Sequence, residues 1–375
     1  MTVGDVPDVI QAVGANNFVL PQAAWDDRLV DVGDVVETQK SEYIQTALDS
    51  VRGYNNVTKK RFYYGVPIKG STMMEQAWRP LIEEAGYSGD AIPKTQDAYF
   101  AFFQDVQQKL RSKGRRIYGL GYSMAGKEND ANNLFHAFLL AYGGAGLVTP
   151  DGKLGVEDPV VRKAAITAVE RLTTAYKQGF VPPGAINWGD VDNNNAFFAR
   201  QVVMTPNATT SISAAQKDKP EVYYKEIITS GVPLSNDSKP VPTTLGITPA
   251  FIPKGARNID GAKDFLRFFI QPGVLNTYLK ESMGRWTPVM PSIVRNDPFW
   301  LDPNDPHVPL ATRQGLELPT LPAWQVYNPA YAQVISEQIW PQAEAGVTQK
   351  NQSPEQAVDE AIQRIKVIFE RYVIG

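Results

Sequence analysis

Aromatic and amide side chains gather where predicted strands run into loops. Asn16 and Asn17 follow one strand-like run, and Trp188 with Asp190 precedes a short helix. Asn207 follows a second run, and Arg285 with Trp286 follows Gly284. Sugars present apolar C–H faces and rims of vicinal hydroxyls, so their sites pair flat aromatic rings with planar bidentate groups such as Asn, Asp and Arg. The alternative for each tryptophan is core packing, which the apolar neighbours of Trp78 favour there. His136, within an apolar run, reads as a structural histidine. Patterns for covalent or metal chemistry are missing: there is no G-x-S-x-G, no H-E-x-x-H and no phosphate-binding P-loop. Asp190–Asn194 begins like a calcium loop, but Asn195 replaces the required glycine and Gln201 the bidentate glutamate. Asp192 or a neighbouring asparagine is instead expected to cap the helix that contains Ala196–Arg200. The carboxylate pairs Asp26-Asp27 and Glu83-Glu84 fall on faces expected to be solvated.

The 375 residues hold no cysteine, two histidines, and 37 Lys+Arg against 40 Asp+Glu, for a net charge of −3. Disulfide frameworks, Cys-ligated metals and thiol nucleophiles are excluded. The charge balance and the lack of basic runs argue against nucleic acid. No cofactor or metal is expected. The longest apolar stretch, Leu134–Val148, carries three glycines and His136 and falls short of the roughly 20 residues a membrane span requires. Met1–Ile10 carries Asp5 and Asp8 where a secretory signal needs a basic and then an apolar region, so any export signal is expected upstream.

Helices that could position these residues are cleanly punctuated. Met74, Ala77, Trp78, Leu81, Ile82 and Ala85 predict one amphipathic helix ending at Gly86. Thr95 opens a second, with Tyr99, Phe103, Val106 and Leu110 inward and Gly114 at its end. Asp158-Pro159 opens a third that stops at Gly179. Ser353, Pro354 and Gln356 form a capping box for the last. Strand-like runs intervene at Pro7–Val13, Phe62–Ile68, Arg116–Leu120, Gln201–Thr205, Glu226–Val232 and Leu245–Ile252. Strands alternating with helices predict α/β layers with mixed or parallel sheets. The proline-rich Trp286–Tyr331 is expected to be a long irregular stretch.

Short motifs along the whole chain resemble those of the extracellular solute-binding proteins of ATP-driven importers, in the sugar-binding group that includes maltose-binding protein. Gly4–Ile10 resembles that family's G-x-x-P-D-V strand, and Arg28–Asp31 its L-x-D-L segment. Tyr64–Pro67 resembles Y-G-V-P, and Leu81–Gly86 with Pro93–Thr95 resembles L-x-E-A-G followed by P-x-T. Tyr142–Gly144 with Asp151–Lys153 is similar to G-G followed by D-G-K. Gly255–Phe269 and Ser353–Ala357 are similar to the family's late helix and its closing S-P-E-x-A. The resemblance implies a two-lobed α/β fold of the type II periplasmic-binding-protein kind, a hinged cleft that closes on a sugar or polyol, and delivery to an ABC importer permease. It also implies a monomer without enzymatic activity, placed in the periplasm or at the outer face of the cell. Lobe 1 would comprise 1–67 and 246–290, and lobe 2 68–245 and 291–375, with crossovers near Pro67–Thr72, Thr244–Pro249 and Pro288–Pro291. Cleft positions carried over are Asn16, Asn17, Lys69, Ser71, Asn132, Trp188, Asn207, Trp286 and Tyr327. The strands and helix that normally precede the P-D-V strand are not in the sequence, so lobe 1 is expected to lack them and to be the less stable half. A polyamine, drawn by Asp190 and Asp192, or a phosphorylated polyol, drawn by Lys69 or Arg285, remains an alternative solute, and a carbohydrate-active enzyme a further one.

Overall fold

A computed structural model describes residues 6–374, so Gly4 and Asp5 of the first motif lie outside the described residues. Eleven strands occur among the described residues: β1 (Ile10–Gln11), β2 (Arg52–Asn55), β3 (Lys60–Tyr63), β4 (Val66–Ser71), β5 (Met74–Trp78), β6 (Tyr118–Leu120), β7 (Val202–Asn207), β8 (Ile227–Ser230), β9 (Thr243–Thr244), β10 (Gly246–Phe251) and β11 (Thr320–Leu321). One sheet has the order β1-β10-β4 and is antiparallel throughout. A four-stranded sheet, β6-β7-β5-β8, is mixed, with only β6 and β7 parallel, and β2-β3 and β9-β11 form two-stranded pairs. In the first sheet the register shifts between Thr248 and Pro249, where Pro249 lies opposite Pro67. Neither proline can donate to the ladder, and the irregularity lets both sit within paired strands.

The helix signals with local causes are found in place. Asp158 accepts a hydrogen bond from Val160 N at the start of Pro159–Lys177. Both halves of the Ser353–Gln356 capping box form at the start of Pro354–Phe369. Gly86, Gly114 and Gly179 all take positive φ at helix ends. Thr95 holds the N-cap position of Gln96–Ser112, but its side chain makes no capping bond.

Three expectations differ. Met74–Trp78 is strand β5, and the helix begins only at Arg79. All five strand residues are buried, so no alternation distinguished them from a helical stripe, and Pro80 marks the first turn of the helix rather than its interior. The proline-rich stretch folds into short helices, including Pro291–Asn296, Val308–Leu316 and Ala330–Ser336. Pro291 and Pro309 stand in first turns, where the missing N–H costs nothing. Asp192 opens the helix Asp192–Phe198 without capping it, and its carboxylate accepts from Gly189 N at 2.8 Å.

Buried apolar residues form two main cores. The larger joins the mixed sheet to the helices 96–112, 129–141, 159–177 and 354–369; Trp78 belongs to it, stacked on Phe197 with centroids 4.6 Å apart. The second joins β4 and β10 to the helices Ile259–Phe269 and Pro272–Lys280 and to Trp300. A small cluster of Leu20, Ala24, Tyr64 and Phe251 extends it. The chain passes between the cores three times: between Ile68 and Ala77, between Val241 and Leu245, and between Val308 and Trp324. The last passage lies beyond the expected Pro288–Pro291, because Val289, Met290, Ile293, Trp300 and Val308 are buried in the second core.

The three passages are tied together. β9 pairs in parallel with β11, and Gly70 bridges Thr287. Gln314, 2% exposed, donates from Nε2 to Thr72 Oγ1 (2.8 Å) and to Met73 O (2.6 Å), while its Oε1 accepts from Val232 N (2.9 Å). A Cβ on Gly231 would lie 2.3 Å from that Oε1, so glycine is required for the close approach. Gln314→Ala strands Val232 N and two acceptors in the interior. The expected loss is roughly 1–3 kcal/mol, read as a lower thermal midpoint. An unchanged midpoint would show that water replaces the amide.

Candidate functional site

A cavity of about 470 Å³ opens between the two cores, beside the passages. From the side of the second core it is lined by Asn16, Asn17, Ser71, Thr248, Arg285 and Trp286. From the larger core come Glu75, Phe100, Asp130, Asn133, His136, Phe138, Asp190, Asn194 and Asn207. Thr72, Met73 and Val241–Thr244, on the passages themselves, complete the wall.

Each wall group has a local reason to be where it is. After β1 the chain turns through Gly14, with φ of +77°, and brings Asn16 inward to 3% exposure. Gln325 Nε2 donates to Asn17 Oδ1 (3.0 Å), a contact from the far half, whereas Asn16 Oδ1 is buried without a partner. At the end of β7, Asn207 donates from Nδ2 to Asn194 Oδ1 (2.7 Å) and accepts from Thr209 N (3.1 Å). Gly284 has φ of +83°, and a Cβ there would meet Val308 at 2.3 Å, so only glycine makes the turn that presents Arg285 and Trp286. Its carbonyl accepts from Thr210 Oγ1 (2.6 Å) on the opposite half.

Trp286 supplies a flat face. Behind it, Lys69 Nζ lies 4.5 Å from the ring centroid and donates to Tyr278 Oη at 3.3 Å, while Arg285, itself on the cavity wall, has its Cζ 5.4 Å from the same ring. These contacts are cation–π in character and hold the indole in place. Phe100 and Phe138, stacked with centroids 4.9 Å apart, make a second aromatic surface on the other half.

Of the positions expected at the site, the structure brings together Asn16, Asn17, Ser71, Asp190, Asn207, Arg285 and Trp286. Lys69 supports Trp286 from behind. Asn132 is turned inward at 2% exposure with Oδ1 unpartnered, and its neighbour Asn133 takes the wall position. Trp188 packs partly buried against the larger core, so it does not oppose Trp286 across the cavity. Tyr327 packs on the same core, and its carbonyl accepts from Arg61 Nη2. Glu75, Asp130, Phe100 and Asn133 were missed. The polar run Asn129–Asn133 just before the apolar Leu134–Val148 stretch was the available signal for two of them.

The titratable groups are unusual. Glu75 is 4% exposed, its Oε2 has no partner, and burial pushes its carboxyl up to about 8. Its field adds to the burial that raises Tyr99 and Tyr122. Burial, then Asp190 and then Glu128, raise Asp130 to about 7. Burial lowers His136 to about 3, so it is neutral, and its Nε2 pairs with Tyr331 Oη at 2.7 Å. The wall thus offers neutral or acidic oxygen groups and two aromatic faces. Among the described residues no group of three or more His, Cys, Asp or Glu could hold a metal.

Residues 1–309 match the family described as bacterial extracellular solute-binding protein. The match covers most of the chain, which therefore belongs to that family. No curated protein matches it. Among solved structures, a solute-binding protein of an ABC transporter from Thermotoga lettingae, bound with alpha-D-tagatose, is 20% identical. It covers 96% of this chain and 85% of its own, with a TM-score of 0.72. UgpB from Mycobacterium tuberculosis, in complex with glycerophosphocholine, is 17% identical, with coverages of 98% and 85% and a TM-score of 0.74. The GacH receptor of Streptomyces glaucescens, described unliganded and with acarbose, is 16% identical, with coverages of 99% and 85% and a TM-score of 0.73. These likenesses establish a shared periplasmic-binding-protein fold.

A proton-linked stability effect is expected at Glu75. Its carboxyl titrates near 4.5 ordinarily and near 8 here, so its stabilising protonation is complete below 4.5 and is lost as pH rises through 8. His136 has the opposite sense, being lowered from 6.5, but comparison with a variant cancels it. Glu75→Gln should therefore gain stability relative to the native chain as pH rises from about 5 to about 8.5, by on the order of a few kcal/mol. Parallel melting curves across that range check this. A constant offset would mean that Glu75 has an ordinary carboxyl.

Proposed function

We propose that this protein is the substrate-binding component of an ABC importer. It captures a small sugar or polyol in the cavity between its two halves, carries it unchanged, and hands it to a membrane permease from the periplasm or the outer face of the cell. The observation that carries this reading is the cavity itself, which collects amides, carboxyls and aromatic faces from both cores where the chain crosses between them. Such groups match vicinal hydroxyls and C–H faces and need no nucleophile. The fold shared with sugar-loaded binding proteins supports it. In this reading lobe 1 takes the segments before Thr72, together with Leu245–Val308, and lobe 2 the remainder. Residues 291–308 move to lobe 1 because Ile293, Trp300 and Val308 pack in its core. The passages, each short and cross-linked, act as the hinge. The protein works as a monomer without nucleic acid or cofactor.

Isothermal titration against a panel of neutral mono- and disaccharides and polyols is the test, with chromatography of the recovered solute. One or more should bind and return chemically intact. Trp286→Ala should weaken that binding by roughly 1–3 kcal/mol, the range for stacking on an aromatic ring. A panel without binders, or a processed product, would contradict the proposal.

A further inference from the structure

The wall of the cavity is rich in acceptors and holds negative charge that nothing neutralises. Asp130, at the start of the helix Asn129–Ala141, lines it together with Asp190 from the loop before the next helix. Neither side chain makes a hydrogen bond or an ion pair among the described residues, and the charged groups acting on Asp130 are Asp190 and Glu128, both negative. Two carboxylates that repel each other at a partly desolvated wall are costly unless a cation joins them. Arg285 also reaches the cavity, but it lies over Trp286 and pairs with neither.

An independent observation points the same way. Asn16 Oδ1 and Glu75 Oε2, on residues at least nine-tenths buried, both line this cavity and both lack a partner. They come from opposite halves, so the unpartnered polar atoms are not one local defect. A buried acceptor left without a donor costs free energy, and a native protein tolerates it where a ligand will supply the donor. Asn16, Asp130 and Asp190 call for donors on the solute, and the buried Glu75 carboxyl for a further hydrogen-bonding group.

We infer that Asp130 and Asp190 receive a protonated amine of the solute, so that the transported compound is an amine-bearing sugar or polyol, with Asn16 accepting from one of its hydroxyls and the Glu75 carboxyl hydrogen-bonding to another. The inference deepens the sugar-capture reading and rests on it. An ammonium offers three donors and a positive charge, which a hydroxyl at the same place does not. An anionic solute would meet repulsion at this end of the cavity.

The test is a matched set of probes titrated into the full chain at neutral pH and low salt: the glucosamine disaccharide of chitosan, its N-acetylated counterpart, cellobiose and spermidine. The free-amine disaccharide should bind at least about tenfold more tightly than cellobiose or the acetylated form. That preference should collapse to about twofold or less in both Asp130→Asn and Asp190→Asn. Equal affinities in the native chain, a comparison that needs no variant to fold, would overturn the inference and leave sugar capture standing. A preference that survives both substitutions, or no binding of either amine, would also overturn it. Spermidine binding that depends on Asp130, without any disaccharide bound, would uphold the ammonium site and remove the sugar reading.

Discussion

The architecture depends on a buried carboxamide. Gln314, on the third crossing, bonds to Thr72 and Met73 on the first and accepts from Val232 N of the larger half, so one set of hydrogen bonds fixes the first and third crossings against that half. Because the amide is buried, its partners have no alternative in water, and the crossings must keep their relative positions. The β9–β11 pairing and the Gly70–Thr287 bridge add backbone bonds at the same level. Everything that lines the cavity is hung from these points. β4 ends in Ser71 just before the first crossing, and β5 begins with Met74 and Glu75 just after it. Trp286 stands one residue before the bridge.

This placement explains the electrostatics. Residues on the cavity wall lie where the two cores face each other and water is partly excluded, so a carboxyl there is pushed toward its neutral form. Glu75 shows that effect by burial alone, and Asp130 shows it with like charges added. The aromatic faces divide between the halves: Trp286 with Lys69 behind it on one, Phe100 and Phe138 on the other. A planar solute with polar rims can touch both only if the halves hold it together.

Much of this was legible in the sequence where the cause is local. The capping box at Ser353 and Gln356, the Asp158-Pro159 start and the positive-φ glycines 86, 114 and 179 depend on neighbours a few residues away. The two-lobed α/β fold followed from ordered family motifs. Asn16 and Asn207 could be singled out because they sit where strands become loops, and Trp286 because it follows the turn at Gly284, which comes after a helix. Tertiary causes were not legible. β5 is buried on both faces and so lost the alternation that marks a strand, which concealed Glu75 inside an apparent helix. Lys69 faces the back of an indole rather than the cavity, and Trp188 rests on the larger core, distinctions set by packing between segments far apart in sequence. The third crossing was placed too early because nothing in the prolines at 288 and 291 reveals that Trp300, donating to Asn276 Oδ1 at 2.8 Å, anchors the following segment in the second core.

One solute is proposed to be held by both halves at once. Hydrogen exchange of the full chain, with and without the tightest sugar found by titration, tests it most directly. Added protection is expected at Asn16–Asn17 and Arg285–Trp286 on one half, and at Asn129–Asn133 and Asn207–Thr209 on the other, with the Thr72–Glu75 crossing slowed as well. Protection confined to a single half, with the other half and the crossings unchanged, would contradict it.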